Sequence, residues 1–84
     1  MKSISSIQNS LIKQISKLQE KSSERKKLQL FVIEGVREIH LALEGRYDLE
    51  TLLICPSIYS GEIYSFPSST ERIEISKEVY EKIA

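Results

Sequence analysis

Between Leu30 and Cys55 the chain changes its hydrophobic period twice, and that succession restricts the architectures open to it. Leu30-Phe31-Val32-Ile33 is a short run of β-branched and aromatic residues, the composition of a buried strand. Glu34-Gly35 turns the chain. Val36, Ile39 and Leu43 then recur at helical spacing, with Ala42 adding small bulk. Gly45 follows where a helix C-cap favours positive φ. Leu52-Leu53-Ile54-Cys55 is a second strand-like run, stopped by Pro56. Strand, helix, strand in this order predicts a βαβ unit with a parallel pair and a right-handed crossover.

The flanks extend this α/β pattern. Asn9 or Ser10 can cap a first helix, because a short side-chain oxygen satisfies an orphan N–H at its start. Leu11, Ile15 and Leu18 supply its apolar stripe, which Ile12 widens. Ser22-Ser23 marks a break, after which Glu24 to Leu28 forms a further helical turn. Ile63-Tyr64 reads as a short strand, and Arg72-Ile73-Glu74-Ile75 alternates as a half-buried one. Ser76 can then cap a helix carrying Val79, Tyr80 and Ile83. That helix stops at Ala84 after two turns, and the expectation is of one domain, residues 1–84, cut from a larger protein.

Net charge is zero, but the zero hides a split. Residues 1–27 hold seven basic side chains (Lys2, Lys13, Lys17, Lys21, Arg25, Lys26, Lys27) against Glu20 and Glu24, a net +5. Residues 28–84 hold five bases against ten acids, a net −5. Such asymmetry points to one end meeting a polyanion. Lys13, Lys17 and Lys21 fall at i, i+4 and i+8, where like charges cost a helix a few tenths of a kcal/mol per pair. A helix shaped by stability alone would alternate signs there. Bases that neutralise phosphates release counterions, which gives sequence-independent affinity for nucleic acid. A solvated basic helix with no partner has the same charge pattern, so the stripe alone does not decide.

A second signal is Phe31-Val32-Ile33-Glu34-Gly35-Val36-Arg37, a strand, a tight turn and a helix start with a base. Amides at a helix N-terminus favour an anion, and Arg37 can reach the same phosphate. Equally, Gly35 can serve only the turn while Arg37 pairs with Glu34 or Glu38. The remaining inventory excludes more than it suggests. Eighty-four residues leave little room for a core and a deep catalytic pocket together. His40 and Cys55 are too few for a metal site and read as packing residues. Tyr47, Tyr59, Tyr64 and Tyr80 are too scattered for an RNA-stacking platform. There is no Walker-type loop or dinucleotide fingerprint, so no cofactor or metal is expected to bind these residues. The longest apolar runs are far too short to cross a bilayer, no signal peptide is recognisable, and a single Cys gives no disulfide framework. A cytoplasmic setting with no membrane partner is expected.

Three strings carry a family resemblance: Ile4-x-x-Ile7-x-Asn9-x-x-Ile12-Lys13, then Leu18-x-x-Lys21-x-x-x-Arg25, then Phe31-x-Ile33-Glu34-Gly35-x-Arg37. Together they resemble the start of SpoU-type (TrmH-like) RNA 2′-O-ribose methyltransferases, whose N-terminal domain binds the substrate. The likeness extends to Ala42-Leu43 and Leu52-Leu53-Ile54, and is thin between Pro56 and Arg72. Ser10 is a departure, since many relatives carry Pro after the Asn. The resemblance implies a small three-layer α/β/α sandwich with a short mixed or parallel sheet, similar to kink-turn-binding ribosomal proteins. It implies that RNA, ribosomal or transfer, is the partner. It also implies that S-adenosylmethionine is bound by a knotted C-terminal domain absent from these 84 residues, so that the fragment is non-catalytic. The full-length protein is expected to be a homodimer and the fragment a monomer. The RNA-binding set expected is Asn9, Lys13, Lys17, Lys21, Arg25, Lys26, Lys27 and Arg37, with Glu34 and Gly35 as a structural turn. Two other readings remain open, a stand-alone RNA-binding module of this fold and a protein-interaction or dimerisation module.

Overall fold

The computed structural model describes residues 2–59, 61 and 66–84. In chain order the elements are β1 (Lys2–Ile4), α1 (Ser10–Glu20), α2 (Ser22–Leu28), α3 (Val36–Glu44), β2 (Thr51–Ile54), β3 (Glu71–Ile75) and α4 (Lys77–Ile83). The three strands form one sheet in the order β1-β3-β2, with both pairs parallel. Lys2 to Ile4 align with Ile73 to Ile75, and Thr51 to Ile54 align with Glu71 to Glu74.

Alternation along the strands divides the core between two faces. Ile73 and Ile75 point to one side, where they pack with Ile12 and Ile15 of α1, Val79 of α4 and Cys55. Leu52 and Ile54 point to the other, against Phe66 and the half-buried Ile39 and Leu43 of α3. Helices therefore cover both faces, and the molecule is an α/β/α sandwich built on a short parallel sheet. Parallel strands buried on both faces need apolar residues at successive positions, which Leu52-Leu53-Ile54 supplies. On the α3 side Arg72 ties down the 66–70 turn, donating to the carbonyls of Phe66 at 2.8 Å and Thr70 at 3.0 Å. Thr70 is buried, and its hydroxyl donates to the Leu49 carbonyl at 2.7 Å.

The helices start and stop for local reasons. Asn9 caps α1, its side-chain oxygen accepting from the Leu11 N–H at 2.9 Å. Lys21 interrupts the helix with extended backbone (φ −120, ψ 114), and α2 begins at Ser22. Ser76 caps α4, accepting from the Val79 N–H at 3.2 Å. Gly45 caps α3 as the sequence predicts, but with ordinary φ (−78), and Arg46 takes the left-handed conformation instead (φ 67). The reason lies in the bonding. Arg46 N–H donates to Leu43 and Tyr47 N–H to Ala42, the paired bonds that close a helix one residue later than the glycine.

Three further expectations meet a different outcome or none. Residues 30–33 form no strand, and Phe31 is half exposed (50 %). The βαβ unit expected across α3 is therefore not closed: among the described residues β2 pairs with β3 alone, and residues 30–34 line a cleft together with β2. Strand propensity needs a ladder to act, and none is engaged there. Conversely β1 was not anticipated. With Ile4 its one apolar residue, it becomes a strand through pairing with β3, the Ser76 N–H donating to the Ile4 carbonyl beside that pair. The short strand expected at Ile63-Tyr64 lies outside the described residues.

Ile12 is fully buried between α1 and the sheet, whereas Leu41 on α3 is 56 % exposed. Ile12→Ala is expected to cost about 2–5 kcal/mol, a large share of the roughly 5–15 kcal/mol typical of a domain. Leu41→Ala should stay within about 0.5 kcal/mol. Urea unfolding followed by circular dichroism measures both, and equal losses would contradict this core.

Candidate nucleic-acid interface

The geometry of the basic residues follows from how α1 is buried. Ile12, Ile15 and Leu18 turn inward, so Lys13 and Lys17 are exposed on the outer side, one helical turn apart. Side chains at that spacing project from Cβ atoms about 5–6 Å apart. Lys21 is also exposed, but it sits at the C-cap, where its N–H donates to the Lys17 carbonyl at 2.9 Å. The row therefore runs along one turn of helix and ends at the α1–α2 joint. Lys17 lies in the last turn of α1, where the helix dipole favours a cation.

Few of these charges are neutralised from within. Among the described residues the salt bridge is Lys2 to Glu71, 3.3 Å apart and exposed at both ends. Lys13, Lys17, Lys21, Lys26, Lys27 and Arg37 make no ion pair there, so the acidic half of the chain does not cancel the basic half by contact. Arg25 is different. Its guanidinium folds back and donates to the carbonyls of Leu18 at 2.6 Å and Gln19 at 3.3 Å. It thereby caps the end of α1 and holds the two helices at their joint. Asn9 is likewise engaged by backbone, as the N-cap of the same helix.

The other sequence signal is placed elsewhere. Arg37 lies in the first turn of α3, on the opposite side of the sheet from α1, so the lysine row and Arg37 do not share a helix layer. Gly35 precedes α3 with φ 103, a conformation L side chains rarely adopt. A Cβ there would also lie 2.5 Å from Glu38 Oε2. The Glu38 carboxylate thus lies beside Gly35 at the N-terminal end of α3, where the helix dipole favours negative charge. Lys26, by contrast, lines a cleft of about 1110 Å³ that runs past α2, residues 29–36 and β2.

A contact invisible to sequence spacing joins residues 46 positions apart. The Tyr80 hydroxyl donates to Glu34 Oε2 at 3.0 Å, tying the end of the 30–34 segment to α4. No local pattern signals it, because only the fold brings α4 to this segment. His40 stacks on Phe66 with ring centroids 5.1 Å apart, a packing role on the α3 side of the sheet. Cys55 is buried, with its sulfur 3.3 Å from the Ser57 hydroxyl. Among the described residues no group of three His, Cys, Asp or Glu side chains can hold a metal ion. No helix among them is long and apolar enough to cross a membrane.

Against known proteins, the family model of the MRM3-like substrate binding domain matches residues 9–84, from the α1 cap to the end of α4. No curated protein matches the chain.

The Glu34 carboxylate holds Tyr80 in its neutral form, so the phenol titrates above its usual value of about 10, first through the hydrogen bond and then through the negative charge. A folded value above the unfolded one gives stability that is complete below the unfolded value. It is lost as pH rises through the folded value. Phenolate absorbance should therefore show one tyrosine ionising late, and Glu34→Gln should return it toward the ordinary range. A wild-type titration identical to that of the variant would contradict the contact.

Proposed function

We infer the function from membership: the chain belongs to the MRM3-like substrate binding domain family, the N-terminal substrate-binding domain of SpoU-type methyltransferases. From that premise we propose that these residues hold RNA for 2′-O-ribose methylation. The methyl group would come from S-adenosylmethionine, the chemistry of a separate catalytic domain. Ribosomal or transfer RNA is the proposed class of substrate, and single-stranded or looped segments are favoured over plain duplex. A modifying enzyme must reach a nucleotide that is not locked in a stack.

The observation that carries the reading is the row of exposed, unpaired ammonium groups on the side of α1 facing away from its core stripe. Lys13, Lys17 and Lys21 are proposed to contact successive phosphates, with Lys26 and Lys27 of α2 extending the surface past the joint. Asn9 and Arg25 are proposed to act on RNA by holding α1, since both are bonded to its ends. Arg37, on the far layer, would meet a separate part of a longer RNA. Gly35 and Glu34 set the turn between segment and helix rather than touch the ligand. Phosphate contacts of this kind position the strand and do not read its sequence.

RNA affinity should fall with salt, with a log–log slope of roughly −2 to −4 for three to five phosphates. Charge reversal of the row (Lys13→Glu, Lys17→Glu and Lys21→Glu together) should abolish most binding of a short unstructured RNA by fluorescence anisotropy. Circular dichroism should stay unchanged, because all three side chains are exposed. Undiminished binding by the folded triple variant would remove the row from the mechanism. Asn9→Ala should lower stability by about 1 kcal/mol through the lost cap. Below its unfolding temperature it should bind RNA nearly as the parent does.

A further inference from the structure

Sequence spacing offers no stacking platform among the tyrosines, but the fold assembles an aromatic pair that spacing does not show. Phe31 and Tyr47 meet edge to face, with ring centroids 5.2 Å apart and planes inclined at 81°. Rings favour this arrangement because the positive edge of one meets the negative face of the other. Both residues nevertheless stay exposed, Phe31 at 50 % and Tyr47 at 58 %. Among the described residues neither belongs to the buried clusters on the two faces of the sheet. The pair is held in place from behind. Gln29 closes α2 in left-handed conformation, and the Leu30 N–H donates to the Arg25 carbonyl at 3.3 Å. Arg46 is left-handed after α3, where the Tyr47 N–H donates to the Ala42 carbonyl at 3.0 Å. Each ring thus follows closely on a closed helix end, so ordering it on a ligand costs little further backbone freedom.

Charge near the pair is mixed. Lys26 and Arg46 line the same cleft as the two rings, and so do Glu34, Asp48 and Glu50. A phosphate among those carboxylates would be repelled. A nucleobase is uncharged and offers a π-face to the rings, while the cationic side chains of Lys26 and Arg46 can take the phosphates that flank it.

We propose that Phe31 and Tyr47 form a stacking site for one unpaired base of the RNA. The proposal rests on the RNA reading above and adds a second kind of contact to it. Phosphates would be held by the lysine row of α1, and Lys26, on α2 beyond the joint, connects that row to the cleft in which the rings lie. Stacking accepts any base, since each has a π-face. The pair therefore selects single-stranded over duplex RNA, not one sequence over another.

Two probes with equal numbers of phosphates separate the contacts: a short oligouridylate, whose bases are unstacked in solution, and an abasic ribose-phosphate oligomer of the same length. Titrated by fluorescence anisotropy, the intact chain should bind the oligouridylate about fivefold or more tighter, the least expected for one stacked base. Phe31→Leu with Tyr47→Leu keeps apolar bulk and removes both rings. That variant should bind the two oligomers alike, with the salt dependence of the parent, because the phosphate contacts are untouched. Tyr47→Phe keeps the ring and should keep the preference. In NMR spectra of the intact chain, the ring protons of Phe31 and Tyr47 should shift on adding the oligouridylate and not the abasic oligomer. Rings left unshifted would overturn the proposal whether or not the double variant folds. Equal binding of both probes by the intact chain would overturn the stacking site and leave the RNA reading standing, whereas binding of neither would overturn both. A preference kept by the folded double variant would place the base elsewhere and sink the proposal. Self-association of the intact chain that the variant lacks would do the same, by assigning the rings to a second copy.

Discussion

Burial of α1 against the sheet is the contact on which the remaining arrangement depends. Ile12, Ile15 and Leu18 occupy one stripe of eleven residues, and the packing of Ile12 and Ile15 on Ile73, Ile75 and Val79 sets the rotation of the helix about its own axis. Once that rotation is set, Lys13 and Lys17 must face water, because one stripe of a helix cannot be turned without moving the other. The same contact brings α4 beside α1, where Gln19 bonds the Ile83 carbonyl, and it places β1 along β3. Hydrophobic burial on one side thus produces the charged surface on the other. No specific electrostatic contact is needed to build it.

Charge that looks equivalent in sequence is divided by this fold into different tasks. Arg25 stands in a basic triplet with Lys26 and Lys27, yet its guanidinium satisfies the carbonyls at the end of α1. Lys2 is paired with Glu71, while the lysines of the row have no such partner among the described residues. Glu38 places its carboxylate beside Gly35 at the start of α3. Bases that cap helices are committed to the fold, and those without an ion-pair partner among the described residues remain open to solvent.

The chain belongs to the MRM3-like substrate binding domain family. Among the described residues no group of three His, Cys, Asp or Glu side chains can hold a metal ion, while the half-buried His40 stacks on Phe66 and Cys55 is buried. What they offer is a three-layer body with the lysines of α1 exposed on one face. Between α2 and α3 runs the 30–34 segment, which forms no strand.

Local chemistry decided a good deal by itself. The Asn9 and Ser76 caps, the stripe of α1 and the alternation of Arg72 to Ile75 all follow from interactions within a few residues, whereas the break expected at Ser22-Ser23 falls at Lys21. They were legible for that reason, as was the gathering of positive charge in the first third of the chain. Other features needed distant partners. β1 exists because β3 offers it an edge, and the Tyr80–Glu34 bond exists because α4 returns to the 30–34 segment. Arg37 is parted from the lysine row by a sheet whose layering no periodicity reveals. Residues 30–33 show the limit most directly. Their side chains specify a strand, but a strand is completed by hydrogen bonds to a neighbour, and neighbours belong to tertiary structure.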